Sequence, residues 1–587
     1  MVTRKIAFMA RALLPELHAL NYGRRKRYNE HKGAVRKGKL VMPRIGRLVG
    51  LWSLVLMLIL VPHVVAQGQE VTVQLLAFND LHGHLEPANL TFTLPDGQRI
   101  PAGGVEYLAT HIKQLRRKNP HTLLVSAGDS IGASPLLSAL FHDEPTIEAL
   151  NAMQLAVNAV GNHEFDRGAA ELLRLQKGGC HPQDGCQGKR RFEGAKFQYL
   201  AANVIDEKTG QPILPAYKVY TFAGVKIAFI GMTLKGTPQI VAPSGIQGLR
   251  FQDEADTVNA LVPELQKQGI QAIVVLVHEG GLPTGGFNEC PGITGPIVDI
   301  VQRTHPAVDV FITGHTHQAY NCVLDGRVVT SAAAFGRLLT EIDLTLDRRT
   351  QDVRSVRANN RIVTRDVPAD GTLTRLLRRY KALADPLANR VIGQITADIL
   401  RTPSPSGEMP LGNLIADAQL AATQAPDQGG AVVAFMNPGG IRAELTYTPG
   451  GQVTYGQAFA VQPFGNNLVT MTLTGAQIKA LLEQQFDNPV PGQNRMLQVS
   501  QGFRYRWSAT APPGQRVLEM TLNGQPIRPE QTYRVTVNSF LADGGDNFTV
   551  LRQGTERVGG VTDLAALEAY FRARSPLSPP PLGRILQ

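Results

Sequence analysis

From residue 71 onward, short apolar runs alternate with stretches of helical spacing. The runs VTVQLLAF, HTLLVSA, LAVNAV, QYLAANV, KIAFIGM, AIVVLV and VDVFITG are rich in β-branched and aliphatic side chains, and a polar turn follows each. Between them, VEYLATHIKQLRRK, PTIEALNAM and AAELLRLQ carry the apolar spacing of amphipathic helices. This rhythm predicts βαβ units around a buried sheet, with RVVTSAAA and LTEIDLTL as later, antiparallel strands. The stretch TRLLRRYKALADPL has helical character and few core-grade residues, which predicts a connecting helix and a hinge between domains. Beyond it, VIGQITADIL, GNLIADAQLAATQ, AVVAFM, LVTMTL, GAQIKALLEQQF and TYRVTVNSFL mix strands and helices without βαβ rhythm, as in an α+β domain. The expected boundaries are 70–365 for the first domain, 366–390 for the linker helix and 391–573 for the second domain. The Pro-rich tail 574–587, SPLSPPPLGRILQ from Ser575 on, is expected to be disordered.

A chain of 587 residues exceeds what one hydrophobic core supports, which agrees with two domains. Its net charge of +11 suggests a polyanion partner until the distribution is read. Residues 1–47 hold 13 Lys/Arg against Glu16 and Glu30, and the remainder carries 46 basic and 46 acidic side chains. The balanced remainder has no field to steer a nucleic acid polymer, so that class is excluded. An apolar run from Leu48 to Leu60, broken by Pro62 and followed by Val64-Val65-Ala66, reads as a secretory signal peptide. Residues 1–66 are then a basic N-terminus plus signal, with export to the periplasm or the extracellular space. The alternative is an uncleaved signal anchor, the only route to a membrane. Met42 would start a signal of ordinary length and is the expected initiator. No GPI-type signal is visible at the C-terminal end. Export permits disulfides, and four cysteines allow three pairings. Cys180 with Cys186 would close the loop CHPQDGC, leaving Cys290 with Cys322; four free thiols are the alternative, and the spacing resembles no zinc motif.

Five apolar runs of the first domain end in residues of one chemical kind. They lead into Asn79-Asp80-Leu81-His82, Gly128-Asp129, Gly161-Asn162-His163, His278 and Gly314-His315-Thr316-His317. Singly, these are turn residues, helix caps or edge histidines. Jointly, at the carboxyl ends of strands whose loops converge on one crevice, they predict a metal centre. Imidazole, carboxylate and amide donors without thiolate suit Zn²⁺ or Mn²⁺, or Fe or Co. The donors are too many for one ion, so two divalent ions are expected, a pair suited to in-line attack on phosphorus, with Asp129 as the bridge. In the VGNHEFDRG turn, Asn162 offers a neutral oxygen, His163 is free to meet a phosphoryl group, and Asp166 can orient the imidazole or cap the following helix. Glu164 reads as a solvated residue or one supporting the ligands.

FNDLHGHLEP, SAGDSIGASP, VGNHEFDRG, VHEGG and TGHTHQ, in this order, resemble the motif set of the calcineurin-like metallophosphatases in the form found in 5′-nucleotidases. The resemblance covers nearly all of the chain after residue 70. It implies a four-layer αββα metallophosphatase domain followed by an α+β nucleotide-binding domain. It assigns Asp80, His82 and His317 to one metal and Asn162, His278 and His315 to the other, with Asp129 shared. His163 and Asp166 become a catalytic dyad, and His84 stays unassigned. In the second domain, MNPGGIRAEL, VQPFGNN and NSFLADGGDNF place Asn437, Arg442, Phe464, Asn466, Phe540 and Asp546 at the nucleoside. Phe464 and Phe540 can sandwich a base, Arg442 can clamp phosphate, and Asp546 can accept from ribose. The arginine that the family often carries shortly before GNLI is missing here, and Arg401 is too early to align. The expected activity is hydrolysis of nucleoside 5′-monophosphates to nucleoside and phosphate, in nucleotide catabolism. The alternatives are 2′,3′-cyclic-nucleotide or UDP-sugar hydrolysis at the same site and, further off, a sulfur-compound hydrolase or a non-enzymatic nucleotide-binding module.

Overall fold

Each central strand feeds two cores, which is why its run is apolar throughout. In Glu70–Phe78, Val73, Leu75 and Ala77 enter one buried cluster and Leu76 and Phe78 another. Ala272–His278 divides in the same way, Ala272, Val274 and Leu276 to one side and Ile273, Val275 and Val277 to the other. A side-chain period of two makes this partition unavoidable once both faces of a sheet are covered. The computed structural model describes residues 69–587 except 88–89, 189–190, 243–244 and 489–491. The signal segment and Met42 lie outside these residues.

Two six-stranded sheets pack face to face. The first runs Asp352–Ile362, Leu338–Asp347, Glu70–Phe78, Thr122–Ser126, Leu155–Ala159, Gln198–Leu200. The second runs Ala319–Leu324, Arg327–Ala332, Val310–Thr313, Ala272–His278, Val225–Thr233, Tyr217–Phe222. Helices Val105–Arg116, Glu144–Ala152 and Ala169–Lys177 cover the outer face of the first sheet, and Glu254–Lys267 and Pro296–Arg303 that of the second. This is the expected αββα order. The three helices read from the sequence all form, and Leu338–Asp347 is antiparallel to Glu70–Phe78 as expected. Arg327–Ala332 departs from expectation in part: it is antiparallel to Ala319–Leu324 but parallel to Val310–Thr313.

The helix Gly371–Ala388 forms, but it is no free connector. Its Leu373, Leu377, Tyr380 and Ala384 belong to the first domain's outer core, so any pivot lies beyond it. The second domain centres on a five-stranded sheet in the order Gln498–Val499, Val433–Met436, Thr532–Asn538, Asn467–Thr474, Thr555–Thr562, flanked by Pro410–Thr423 and Gly475–Glu483. The tail corrects the sequence reading, because it is ordered. Ile585–Leu586 pairs in parallel with Phe503–Trp507, Ile585 is buried, and Arg584 binds Asp417 while backbone N–H groups at 583–585 donate to Glu408. Strand pairing and ion pairs hold a segment whose composition alone reads as unfolded. Both expected disulfides, Cys180–Cys186 and Cys290–Cys322, are present. Among the described residues no helix is long and apolar enough to cross a membrane.

Candidate active site

The carboxyl ends of the parallel strands from both sheets meet at one seam. Asp80, Asp129 and Asn162 follow strands of the first sheet; His278 ends a strand of the second, and His315 and His317 follow another. Four of these residues, and His82 beside Asp80, hold the left-handed backbone that L side chains avoid: Asp80 (φ 50°), His82 (47°), Asp129 (47°), His315 (68°) and His317 (55°). Each such residue costs about 1 kcal/mol or more, and the clustering marks a geometry held for function. Gly161 explains the tight approach, since a Cβ there would lie 2.1 Å from Asp129 Oδ1.

Donor atoms gather in three overlapping groups, each within 4.8 Å of one another: Asp80, His82 and His317; His82, Asp129 and His163; and Asp129, His278 and His315. Asn162 Oδ1 stands 3.0 Å from His315 Nδ1. His82 Nδ1 donates to Gly132 O at 2.9 Å and His278 Nδ1 to Ala127 O at 2.8 Å, which leaves each Nε2 a bare lone pair facing the cluster. One of these nitrogens then meets a partner and the other does not. His82 Nε2 lies 3.1 Å from His317 Nε2. His278 Nε2 lies 2.8 Å from Asp129 Oδ2 without hydrogen-bond geometry, and it has no other partner.

The titration pattern agrees. Burial pushes the imidazole pKa values of His82 and His315 down, to about 4 and about 3, so both rings are neutral at pH 7. Burial opposes charge on His278 as well, but Asp129 and Asp80 outweigh it and hold the group up at about 10. The two carboxylates therefore favour positive charge at His278. Burial would raise Asp80, yet the facing histidines keep its carboxyl well below the usual range. One orphaned imidazole nitrogen, further imidazoles, ionised carboxylates and an amide oxygen in one buried cluster fit divalent metal ions.

His163 sits in a short turn, His163–Phe165, beside this cluster. Its Nδ1 donates to Asp166 Oδ2 at 2.8 Å. Burial lowers its pKa, but Asp166 and Asp129 more than offset this, so it ends above the ordinary value. Asp166 does not cap the next helix, whose N-cap is Gly168; it binds His163 and accepts from Ala133 N at 3.2 Å. Glu164 is not solvated. It is buried and accepts N–H bonds from Asp129, Ser130 and Gly161, and burial with the Asp129 charge raises its pKa to about 8. Glu164 thus braces the loops that carry Asp129 and Asn162. His84 stacks on Phe335 with ring centroids 3.9 Å apart, supporting the His82 loop rather than joining the donors.

A cavity of about 250 Å³ opens from Asn162, His163 and His315 toward the second domain. All six residues expected at the nucleoside line it: Asn437, Arg442, Phe464, Asn466, Phe540 and Asp546. Phe464 lies 5.8 Å from the His163 ring, nearly parallel to it, and the Arg442 guanidinium is 6.0 Å from Phe464. Asp546 is less free than expected. It is ion-paired with Arg495 and accepts from Asn437 Nδ2 at 2.8 Å, and Asn538 in turn donates to Asn437 Oδ1 at 3.0 Å. Sequence reasoning did not assign Arg495, Asn538 or Asn79. Asn79 and Asn538 lie within quoted motifs, whereas nothing around Arg495 signals its partner 51 residues away. Arg401 also returns, because its charge, after burial, helps depress the pKa of Arg442. A second cation therefore stands near the guanidinium despite the missing arginine before GNLI.

Residues 73–319 match the calcineurin-like phosphoesterases, and residues 391–553 match the 5′-nucleotidase C-terminal domain. The chain belongs to the 5′-nucleotidase family of calcineurin-like phosphoesterases. This 5′-nucleotidase-family chain is 33% identical over 515 residues to Endonuclease YhcR of Bacillus subtilis, a match covering 86% of the chain and 40% of that protein. It is 33% identical over 525 residues to the cell wall protein Lmo0130 of Listeria monocytogenes, covering 83% of the chain and 65% of that protein. The chain thus matches less than two thirds of the length of either relative. Among solved structures, the 5′-nucleotidase precursor from Thermus thermophilus superimposes with a TM-score of 0.73 at 28% identity, covering 88% of this chain and 99% of that one.

Proposed function

We propose that the protein is an exported, metal-dependent hydrolase that releases phosphate from nucleoside 5′-monophosphates. One observation carries this reading: the cavity joins the metal-donor cluster of the first domain to Phe464 and Phe540 of the second. A phosphoester that reaches both ends needs a leaving group with a planar part to lie against these rings. Family membership and the 5′-nucleotidase from Thermus thermophilus support the same substrate class.

Asp80, His82 and His317, with Asn162, His278 and His315 and the shared Asp129, would hold two divalent ions, zinc or manganese by donor chemistry. When bound, such ions activate water and neutralise charge on phosphoryl oxygens. The chain's own residues do the rest. Asp166 accepts the Nδ1 proton of His163 and so fixes its tautomer, leaving Nε2 for the phosphoryl group. The raised pKa favours the protonated ring, whose charge would stabilise negative charge developing on phosphorus-bound oxygen. Arg442, with Arg401 nearby, attracts phosphate, and Phe464 and Phe540 stack the base. The Asp546–Arg495 pair presents a fixed carboxylate edge to the ribose. The mature chain, cut after Ala66, would act in the periplasm or outside the cell, in keeping with its two disulfides and the cell-wall relative.

Purified mature protein is assayed on AMP, 2′,3′-cyclic AMP and UDP-glucose with Mn²⁺, with Zn²⁺ and with chelator. The expected result is AMP hydrolysis that chelator abolishes and Mn²⁺ or Zn²⁺ restores. Preference for the cyclic nucleotide or the sugar nucleotide would move the assignment to that substrate. Chelator-insensitive turnover would overturn the metal-dependent reading.

A further inference from the structure

Three antiparallel strands of the second domain end together beside the aromatic lining of the cavity. Thr532–Asn538, Asn467–Thr474 and Thr555–Thr562 lie side by side, with Leu468 opposite Asn538 and Asn467 opposite Thr562. This register sets three polar residues in a row across one end of the sheet: Ser539 after the first strand, Asn466 before the second and Asp563 after the third. The row reaches the loops of both aromatics, because Phe464 stands two residues before Asn466 and Phe540 directly follows Ser539. Gly465, with a left-handed φ of 67°, makes the turn between Phe464 and Asn466, so the ring is held only as firmly as the asparagine behind it.

Hydrogen bonds run the length of the row. Ser539 Oγ donates to Asn466 Oδ1 at 3.2 Å. Asp563 N donates to Asn466 O at 2.8 Å, and the Asp563 carboxyl hydrogen-bonds the Asn466 side chain. With Oδ1 taken by a hydroxyl, what Asn466 gives the carboxylate is an Nδ2 proton. The amide is thus held at both ends, while one N–H and one lone pair stay available to a substrate in the cavity that Asn466 lines.

Helix capping does not account for Asp563. The helix it opens, Asp563–Arg574, is capped by Thr562, whose side chain accepts from Ala565 N. The Asp563 carboxyl takes Leu564 N at 2.8 Å, yet the residue is only 2% exposed, and among the described residues no cation pairs with it. Burial raises its pKa to about 7, and the hydrogen bonds from Leu564 N and the Asn466 side chain offset only part of that. A carboxyl buried without a cation costs stability, which asks for a use beyond the helix end.

We propose that Asp563, through Asn466 and Ser539, is a positioning residue that sets the gap between Phe464 and Phe540 and with it the affinity for a planar base. The inference rests on the nucleotide reading above and names what holds its base slot in shape. Asp563 touches neither substrate nor metal donors, so its removal should loosen the slot and leave the phosphate end intact.

The test is binding calorimetry on the whole mature protein loaded with Mn²⁺, using two separate probes, adenosine and inorganic phosphate. Asp563→Ala should weaken adenosine by about tenfold or more, the scale of one base-stacking contact, and leave phosphate affinity within about twofold. A merely structural loss would weaken both probes together, and that result would overturn the proposal. So would unchanged adenosine affinity in the folded variant, or a parent that binds no adenosine. Should Asp563→Ala not fold, Ser539→Ala, which removes only the bridging hydroxyl, decides by the same two constants. Adenosine carries no phosphate, so selective loss of its binding supports the role of Asp563 whether or not the parent hydrolyses AMP, and absent AMP turnover counts against the proposed reaction alone.

Discussion

At the scale of single residues, the VGNHEFDRG turn divides its labour by direction. Asn162 faces His315, His163 faces the cavity, Glu164 turns inward to three backbone N–H groups, and Asp166 holds His163. Replacing Asp166 with Asn removes the charge that raises the His163 pKa and lets the ring take the wrong tautomer. Asp166→Asn should lower kcat by about 10²-fold, within the range of general acid–base contributions, and leave KM within a few-fold. Steady-state kinetics on AMP check this, and a change confined to KM would deny His163 its role in the chemical step. The strand-end donors were legible because they follow apolar runs directly, so local order announced them. Glu164 was legible only as one of two readings, since its partners Asp129 and Ser130 lie some 35 residues back in the chain and only the folded turn decides for the supporting role. Arg495 escaped for the same reason: its value rests on Asp546, and no local pattern couples the two.

At the scale of elements, what the sequence conveyed was strand existence more than strand direction. Arg327–Ala332 has one pattern whether parallel or antiparallel, and its polarity follows from which neighbours the connections bring beside it. The tail teaches the converse, because its Pro-rich composition hides that Glu408 and Asp417 await its backbone and Arg584. Strand starts also carry charge with consequences. Asp309, just ahead of Val310–Thr313, accepts from Ile273 N at 2.8 Å and so ties this strand to Ala272–His278. Burial first, then the Asp352 charge, raises its carboxyl to about 8. A raised acid binds its proton more tightly when folded, so between about pH 4 and pH 8 the folded state holds the extra proton and stability falls as pH rises. Below pH 4 that contribution is complete, and above pH 8 it is gone. Asp309→Asn keeps the acceptor oxygen without the charge. It should flatten the decline of Tm across this window and leave the variant about 1 kcal/mol or more better off than the parent at pH 8. Parallel Tm profiles for the two proteins would remove Asp309 as the cause.

At the scale of the molecule, the candidate metal donors and the aromatics Phe464 and Phe540 belong to different domains, so the cavity exists only while the two stay together. The turn Thr237–Ile240 of the first domain packs against Gly545–Asn547 of the second, beside the cavity wall formed by Ile240 and Asp546. The helix Gly371–Ala388 is tied by Leu373, Leu377 and Tyr380 to the first domain, which leaves the segment after Ala388 as the place where the domains can part. On the proposed reading, a nucleotide held between the donor cluster and the phenylalanines would face this packed wall, so release should require separation, as in other enzymes where opening limits turnover. A cysteine pair engineered across the Thr237–Ile240 and Gly545–Asn547 contact, with Cα atoms about 5.5–6 Å apart, would fix the closed arrangement. The oxidised form should lose steady-state turnover of AMP by about tenfold or more, and mild reduction of the exposed bond should restore it. Turnover of the oxidised form at the parent rate would mean that substrate and product pass without domain separation, and the cavity would then have to be open to solvent at the phosphate end.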